Sequence, residues 1–149
     1  MNNIYKKIVL FLVGYCAYIA IEVSYRGWSG IVSGVMGGVA FVLIDAINDE
    51  ISWDVDLLIQ GIMGSAIITF FELTVGELIK INGLLPMWNY SNMPLNFDGV
   101  VCLPFSLVWI IISVIAIFVA DAINYYCLGD DEQPYYKLFG KEIIRFKSR

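Results

Sequence analysis

The sequence predicts an all-α integral membrane protein: four transmembrane helices, a structured outer loop between the third and fourth, and a C-terminal amphipathic basic helix. Three observations carry this. Of 149 residues, 59% are hydrophobic and only 15% charged, and the mean hydropathy is +0.75, which is more apolar surface than one soluble core of this size could bury. The apolar residues fall into four runs of near membrane length, which is about 20 residues for a helix. Between the last two runs lies a dense polar stretch, W-N-Y-S-N-M-P-L-N-F-D-G at 88–99, preceded by Pro86.

Charge and cysteine usage narrow the class further. The net charge is −5, but the acids sit at predicted loops and ends, so the sign says little about partners. Basic residues are few and gather at the C-terminus, where a membrane surface is a better target than nucleic acid. There is no histidine, and Cys16, Cys102 and Cys127 stand apart without a C-x-x-C spacing. Common zinc sites and a dithiol redox motif are thereby removed. No cofactor is expected, and each cysteine is expected to fill space in a helix.

The first span is expected over residues 4–25, behind Lys6 and Lys7. The run lacks a small-residue cleavage site, so it is expected to be retained rather than removed as a signal. A helix of membrane length here must include Glu22, and Arg26 follows four residues later, the favourable order for an ion pair on one helix face. The second span is expected over 31–47. Gly30, Gly34 and Gly38 recur every four residues in and before it, with Ser33 and Gly37 beside them, leaving bare backbone where another helix can approach closely. Packing within the chain and a homodimer are both open as uses of that groove.

An acidic segment follows, with Asp45, Asp49, Glu50, Asp54 and Asp56 and no basic residue over 45–56; a solvated loop accounts for it. The third span is expected over 57–79, carrying Glu72 and Glu77 late, then the loop over 80–99 and the fourth span over 100–124. Pro104 falls inside that last span, where it should kink the helix or end a re-entrant turn. Lysine and arginine counts place both termini in the cytoplasm, with seven basic residues on the inner side against Arg26 and Lys80 outside. Residues 1–126 are thus expected to form the transmembrane domain and 127–149 a cytoplasmic tail. In that tail Lys137, Lys141, Arg145 and Arg149 recur every four residues between apolar positions, a pattern suited to a helix lying on anionic lipid.

The candidate chemistry lies at the outer ends of the spans. Glu22 and Glu72 reach a similar depth, given a rise of about 1.5 Å per residue, and Arg26 brings a cation to the same level. An ionised group at membrane depth costs about 2.5 kcal/mol or more, so pairing or a watered cavity is expected. Asn89, Tyr90, Ser91 and Asn96 would supply neutral donors and acceptors above the cluster. Two descriptions compete: an outward-facing polar pocket, or a buried ion pair capped by a loop with Trp88, Tyr90 and Trp109 as interface anchors.

Four blocks then carry a resemblance: E-V-S-Y-R-G-W-S-G at 22–30, G-G-V-A-F-V-L-I-D-A-I-N-D at 37–49, F-E-L-T-V-G at 71–76, and W-N-Y-S-N-M-P-L-N-F-D-G-V-V-C-L-P-F-S-L-V-W at 88–109. Together they resemble the CmpB-like family of ABC-transporter type IV proteins, over nearly all of 14–121. The last block is the most specific. The resemblance implies a four-span membrane protein and a transport-related, permease-like role in the plasma membrane, for a bacterial chain the inner membrane. The chain has no G-x-x-x-x-G-K-[ST], since Gly140 and Lys141 lack both the preceding glycine and the following hydroxyl; a permease role therefore requires a separate ATPase subunit. Three functions follow from the residues: transport of a small polar or ionic solute held by Glu22, Arg26 and Glu72; an intramembrane enzyme acting on lipid, for which no nucleophile with an adjacent base is evident; and an accessory or assembly subunit. Membrane lipids are expected partners throughout.

Overall fold

The computed structural model describes residues 3–149, and at Asn48 the backbone alone. The chain is mostly helical: α1 (Asn3–Arg26), α2 (Ile31–Glu50), α3 (Leu57–Ile81) and α4 (Leu103–Ala122), the last continuing into a π-helical turn over Ile123–Cys127. Three of these are long and apolar enough to cross a membrane: Asn3–Arg26, Leu57–Ile81 and Leu103–Cys127. The apolar part of α2, Ile31–Ile47, is about 25 Å long at 1.5 Å per residue, shorter than the hydrocarbon core. Large apolar side chains stay exposed along the helices, Phe70 and Ile111 at 65% and Ile115 at 57%, as expected where lipid is the solvent. The chain is a membrane protein.

The helices pair as two antiparallel hairpins, α1 on α2 and α3 on α4. In the first pair the glycines of α2 receive α1. A Cβ placed on Gly34 would stand 2.5 Å from the Tyr15 ring, one on Gly37 2.2 Å from Tyr18 Cβ, and one on Gly38 2.7 Å from the Phe11 ring. Gly30 lies outside this seam, with only the tip of Met87 near it at 3.7 Å. Of the predicted groove, Gly34, Gly38 and the neighbouring Gly37 meet α1, and Gly30 does not. Close approach needs neighbours on one helix face, and the turn before α2 points Gly30 elsewhere. Because α1 fills the seam, it is not free to seat a second copy.

In the second pair small residues again set the distance. Gly64 faces Ser113, and Ser65 Oγ donates to the Ser106 carbonyl at 2.6 Å. Asp56 caps α3 by accepting the Leu58 N–H at 3.0 Å. Pro104 does not kink α4: the helix begins at Leu103, so the proline stands in its first turn, where no intrahelical N–H is lost.

The loop over 82–102 holds a short antiparallel ribbon, β1 (Asn96–Phe97) and β2 (Val101–Cys102). Its turn needs positive φ at Asp98 and Gly99, and a Cβ on Gly99 would also meet Ser91 Oγ at 2.4 Å, so glycine is required there. Lys80 ties the turn to α3 through the Asp98 side chain at 2.5 Å and its carbonyl at 2.7 Å.

The tail departs from expectation. Instead of an amphipathic helix it forms a hairpin, β3 (Tyr135–Leu138) with β4 (Lys141–Arg145). Phe139 and Gly140 both take positive φ, the requirement of a two-residue primed turn. Gly140, a weak point for a helix, is the residue that lets the strands reverse. Burial decides the rest: Tyr136 is fully buried, its hydroxyl donates to Asp121 at 2.6 Å, and its ring packs edge-on against Phe118 at 4.2 Å.

Charge also holds the hairpin to the bundle. Lys137 donates to Asp54 at 2.6 Å, Tyr135 donates to the same carboxylate at 2.8 Å, and Asp56 accepts from the Phe139 N–H. The Lys137 ammonium holds the Asp54 carboxyl below its ordinary value, so this contribution is present above the unfolded pKa of about 3.9 and is lost as the pH falls further. Trp53 packs on Tyr135 and Tyr136 at 6.3 and 6.1 Å and reports the contact. We expect an acid-side shift of tryptophan emission in the wild type that is absent in Asp54→Asn; identical acid profiles would refute the assignment.

Candidate functional site

Glu22 and Arg26 lie one turn apart near the end of α1, and the spacing closes the ion pair at 2.8 Å. The turn that follows returns Ser29, whose hydroxyl donates to Glu22 at 2.6 Å. Arg26 also donates to the carbonyls of Trp28 at 3.2 Å and of Met87, and lies 4.1 Å over the Trp28 ring. The guanidinium is thus committed to Glu22, two carbonyls and a ring face. It works as a clamp between α1 and the loop rather than as an open cation.

Glu72 is 1% exposed, inside the bundle. Tyr90 reaches down from the loop and donates to one oxygen at 2.9 Å, and Trp109 donates its ring N–H to the other at 3.1 Å. Burial and the neighbouring carboxylate both raise the Tyr90 phenol above its ordinary value, which keeps it a donor. Both oxygens of the side chain are thus occupied by donors. Trp109, described from the sequence as an interface anchor, is 6% exposed. It is a ligand of Glu72 instead, because its place on α4 faces α3.

Of the loop residues, Asn89 and Tyr90 border the same cleft as Glu22 and Arg26, whereas Ser91 and Asn96 do not. Asn89 accepts the Ser91 N–H at 2.8 Å, Asn96 donates to the Met93 carbonyl at 2.9 Å, and Asn96 accepts the Gly99 N–H at 3.0 Å. These are turn contacts that hold the loop's shape. The loop is further pinned by Trp88, which donates to the Val100 carbonyl at 2.8 Å, and by the Tyr90 ring stacked on Phe105 at 4.7 Å.

The resulting cleft has a volume of about 560 Å³ and lies between α1, α4 and the loop. Six of its thirteen lining residues are aromatic, which biases it toward ligands that present charge or hydrocarbon to ring faces. Tyr18 borders it from below, within electrostatic range of Glu72, Glu22 and Arg26, and stacks on Trp109 at 6.2 Å.

A second polar cluster lies at the opposite end of the bundle and was not anticipated. Asn124 donates to Asp45 at 2.5 Å, Trp53 donates to Glu132 at 3.0 Å, and Lys6 pairs with Asp130. With Asp49 and Asp121 they surround a cavity of about 470 Å³. The signal was present in D-A-I-N at 121–124, two polar residues within an apolar run. Among the described residues no group of side chains is arranged to hold a metal ion.

No curated protein and no solved structure matches this chain. The family model described as Putative ABC-transporter type IV matches residues 7–139, a stretch that takes in most of α1, all of α2, α3 and α4, the loop and the first strand of the tail hairpin, and the chain belongs to that family.

Proposed function

We propose that this chain is the permease-type component of a transporter, and that the cleft under the loop binds a small polar or ionic solute. The observation that carries the proposal is the Glu22–Arg26 pair on the border of one cleft, with Glu72 buried behind the Tyr90 and Trp109 that line it; charge at membrane depth is costly and needs a reason. All four helices cross the bilayer in this proposal. Since α2 runs back along α1 through the glycine seam, it occupies the same slab, and its short apolar length places Asp49 and Glu50 at the surface. Both termini and the tail hairpin then lie on the cytoplasmic side and the cleft faces outward. Energy comes from a separate ATPase subunit, and four spans pair with further subunits to enclose a path.

The test uses the full chain in lipid nanodiscs, with tryptophan emission as readout because Trp88 and Trp109 line the cleft. Tetramethylammonium, inorganic phosphate and glycine are titrated in turn. One of the three should bind saturably, and Glu22→Gln should weaken that binding tenfold or more, the equivalent of about 1.4 kcal/mol. Saturable binding of none, or binding unchanged in both Glu22→Gln and Glu72→Gln, would overturn the proposal.

A further inference from the structure

The polar cavity at the end of the bundle opposite the cleft has no part in the function proposed above. Six carboxyl side chains border it, Asp45, Asp49, Asp121, Asp130, Asp131 and Glu132, against the ammonium of Lys6. Arg149 brings a second cation from the tail: it lies 3.9 Å from Asp131 and donates to the Asp130 carbonyl at 2.6 Å. Acids therefore outnumber bases by six to two. Asp45 stands within electrostatic range of Asp49, Asp130 and Lys6, so these charges act on one shared space.

Acids alone would be satisfied by water, but one buried group here calls for a donor. Asn124 is 9% exposed and borders the cavity. Its amide nitrogen donates to Asp45 at 2.5 Å, and that contact orients the side chain, because a carboxylate only accepts. The amide oxygen is left as a buried acceptor with no hydrogen-bond partner among the described residues. Such a group is unfavourable until an N–H or O–H reaches it. Asn124 also stands on the π-helical turn that continues α4, a rare geometry that recurs at functional sites.

We propose that this cavity binds a linear aliphatic diamine or longer polyamine, whose ammonium groups meet separate carboxylates and give one N–H to the Asn124 oxygen. The surplus of acids exceeds what a single positive charge would balance. Among the described residues the carboxylates do not converge as metal ligands do, so the positive charges of the ligand must stand apart, as they do on amines spaced by methylenes. Trp53, Tyr125 and Pro134 in the wall supply carbon for those methylenes, and the two aromatic faces attract ammonium as well. The cavity volume of about 470 Å³ admits an extended chain. The site is separate from the cleft and does not rest on the permease reading.

The experiment is isothermal titration calorimetry of the full chain in nanodiscs of zwitterionic lipid, with empty nanodiscs as the blank. The probes are diaminobutane, spermidine, butylammonium and butanediol. Diaminobutane and spermidine should bind saturably, butylammonium should bind roughly tenfold or more weakly, and butanediol should not bind. Asp49→Asn, on the exposed end of α2, and Asn124→Ala should each weaken diaminobutane by roughly tenfold or more, the loss of one hydrogen bond to a charged group. Glu50→Gln, the next residue along and not part of the cavity wall, should leave binding unchanged. If Asn124→Ala does not fold, the contrast between Asp49→Asn and Glu50→Gln decides. Equal losses in those two variants overturn the site in favour of diffuse surface charge. Butylammonium binding as tightly as diaminobutane, or no saturable binding of diaminobutane, overturns the proposal and leaves the cleft assignment untouched.

Discussion

Glu72→Ala is expected to lower stability by several kilocalories per mole and to release the loop from the bundle. The change leaves the Tyr90 hydroxyl and the Trp109 ring N–H without their acceptor, and an orphaned buried donor costs about 1–3 kcal/mol each. For a chain of this length each kilocalorie corresponds to roughly 2–4 °C in the unfolding midpoint, so a drop of several degrees should be measurable in detergent by tryptophan emission. The mechanism has its own control. In a Tyr90→Phe, Trp109→Phe background the same alanine substitution orphans nothing and should cost far less. Equal losses in the two backgrounds would show that Glu72 does not act through these donors.

The second large effect is expected from Gly37→Leu. The first side-chain atom alone would stand 2.2 Å from Tyr18 Cβ and 2.9 Å from the Gly14 carbonyl, and neither is the end of a flexible side chain that could move aside. α1 and α2 must separate, with a cost toward or above the upper end of the 1–3 kcal/mol typical of overpacking. Tyr18 would be displaced from Trp109, so the damage should reach the Glu72 site as well. Gly30→Leu is the informative contrast, since only Met87 lies near that position. Gel filtration in detergent should show aggregation or loss of the Gly37→Leu protein and a normal monodisperse peak for Gly30→Leu; the reverse order would refute the seam.

The contrast between these glycines shows how far the residue pattern could be read. A four-residue spacing identified a helix face able to accept a neighbour, and a neighbour is there. Which glycines it touches depends on the crossing of α1 and α2, which puts Gly37 in contact and leaves Gly30 out. The site divides the same way. The Glu22–Arg26 pair follows from one helical turn on one element, so it was legible. Glu72 was legible as a costly buried acid and Tyr90 as a donor above it, but Trp109 as its second partner was not, because that contact depends on how α4 turns its face to α3. The tail was misread because its basic residues repeat with helical spacing. That local pattern was overridden by one buried tyrosine and a turn that Gly140 makes accessible.

Hydropathy accumulates along a chain without regard to what lies across from it, and so the sequence by itself determined that this is a helical membrane protein. Only the tertiary structure decided that Arg26 is spent as a clamp, that Trp109 joins Tyr90 in holding Glu72, and that an aromatic cleft lies between α1, α4 and the loop. Those outcomes depend on the distances and rotations between elements, which are set by close packing across the bundle rather than by any single segment.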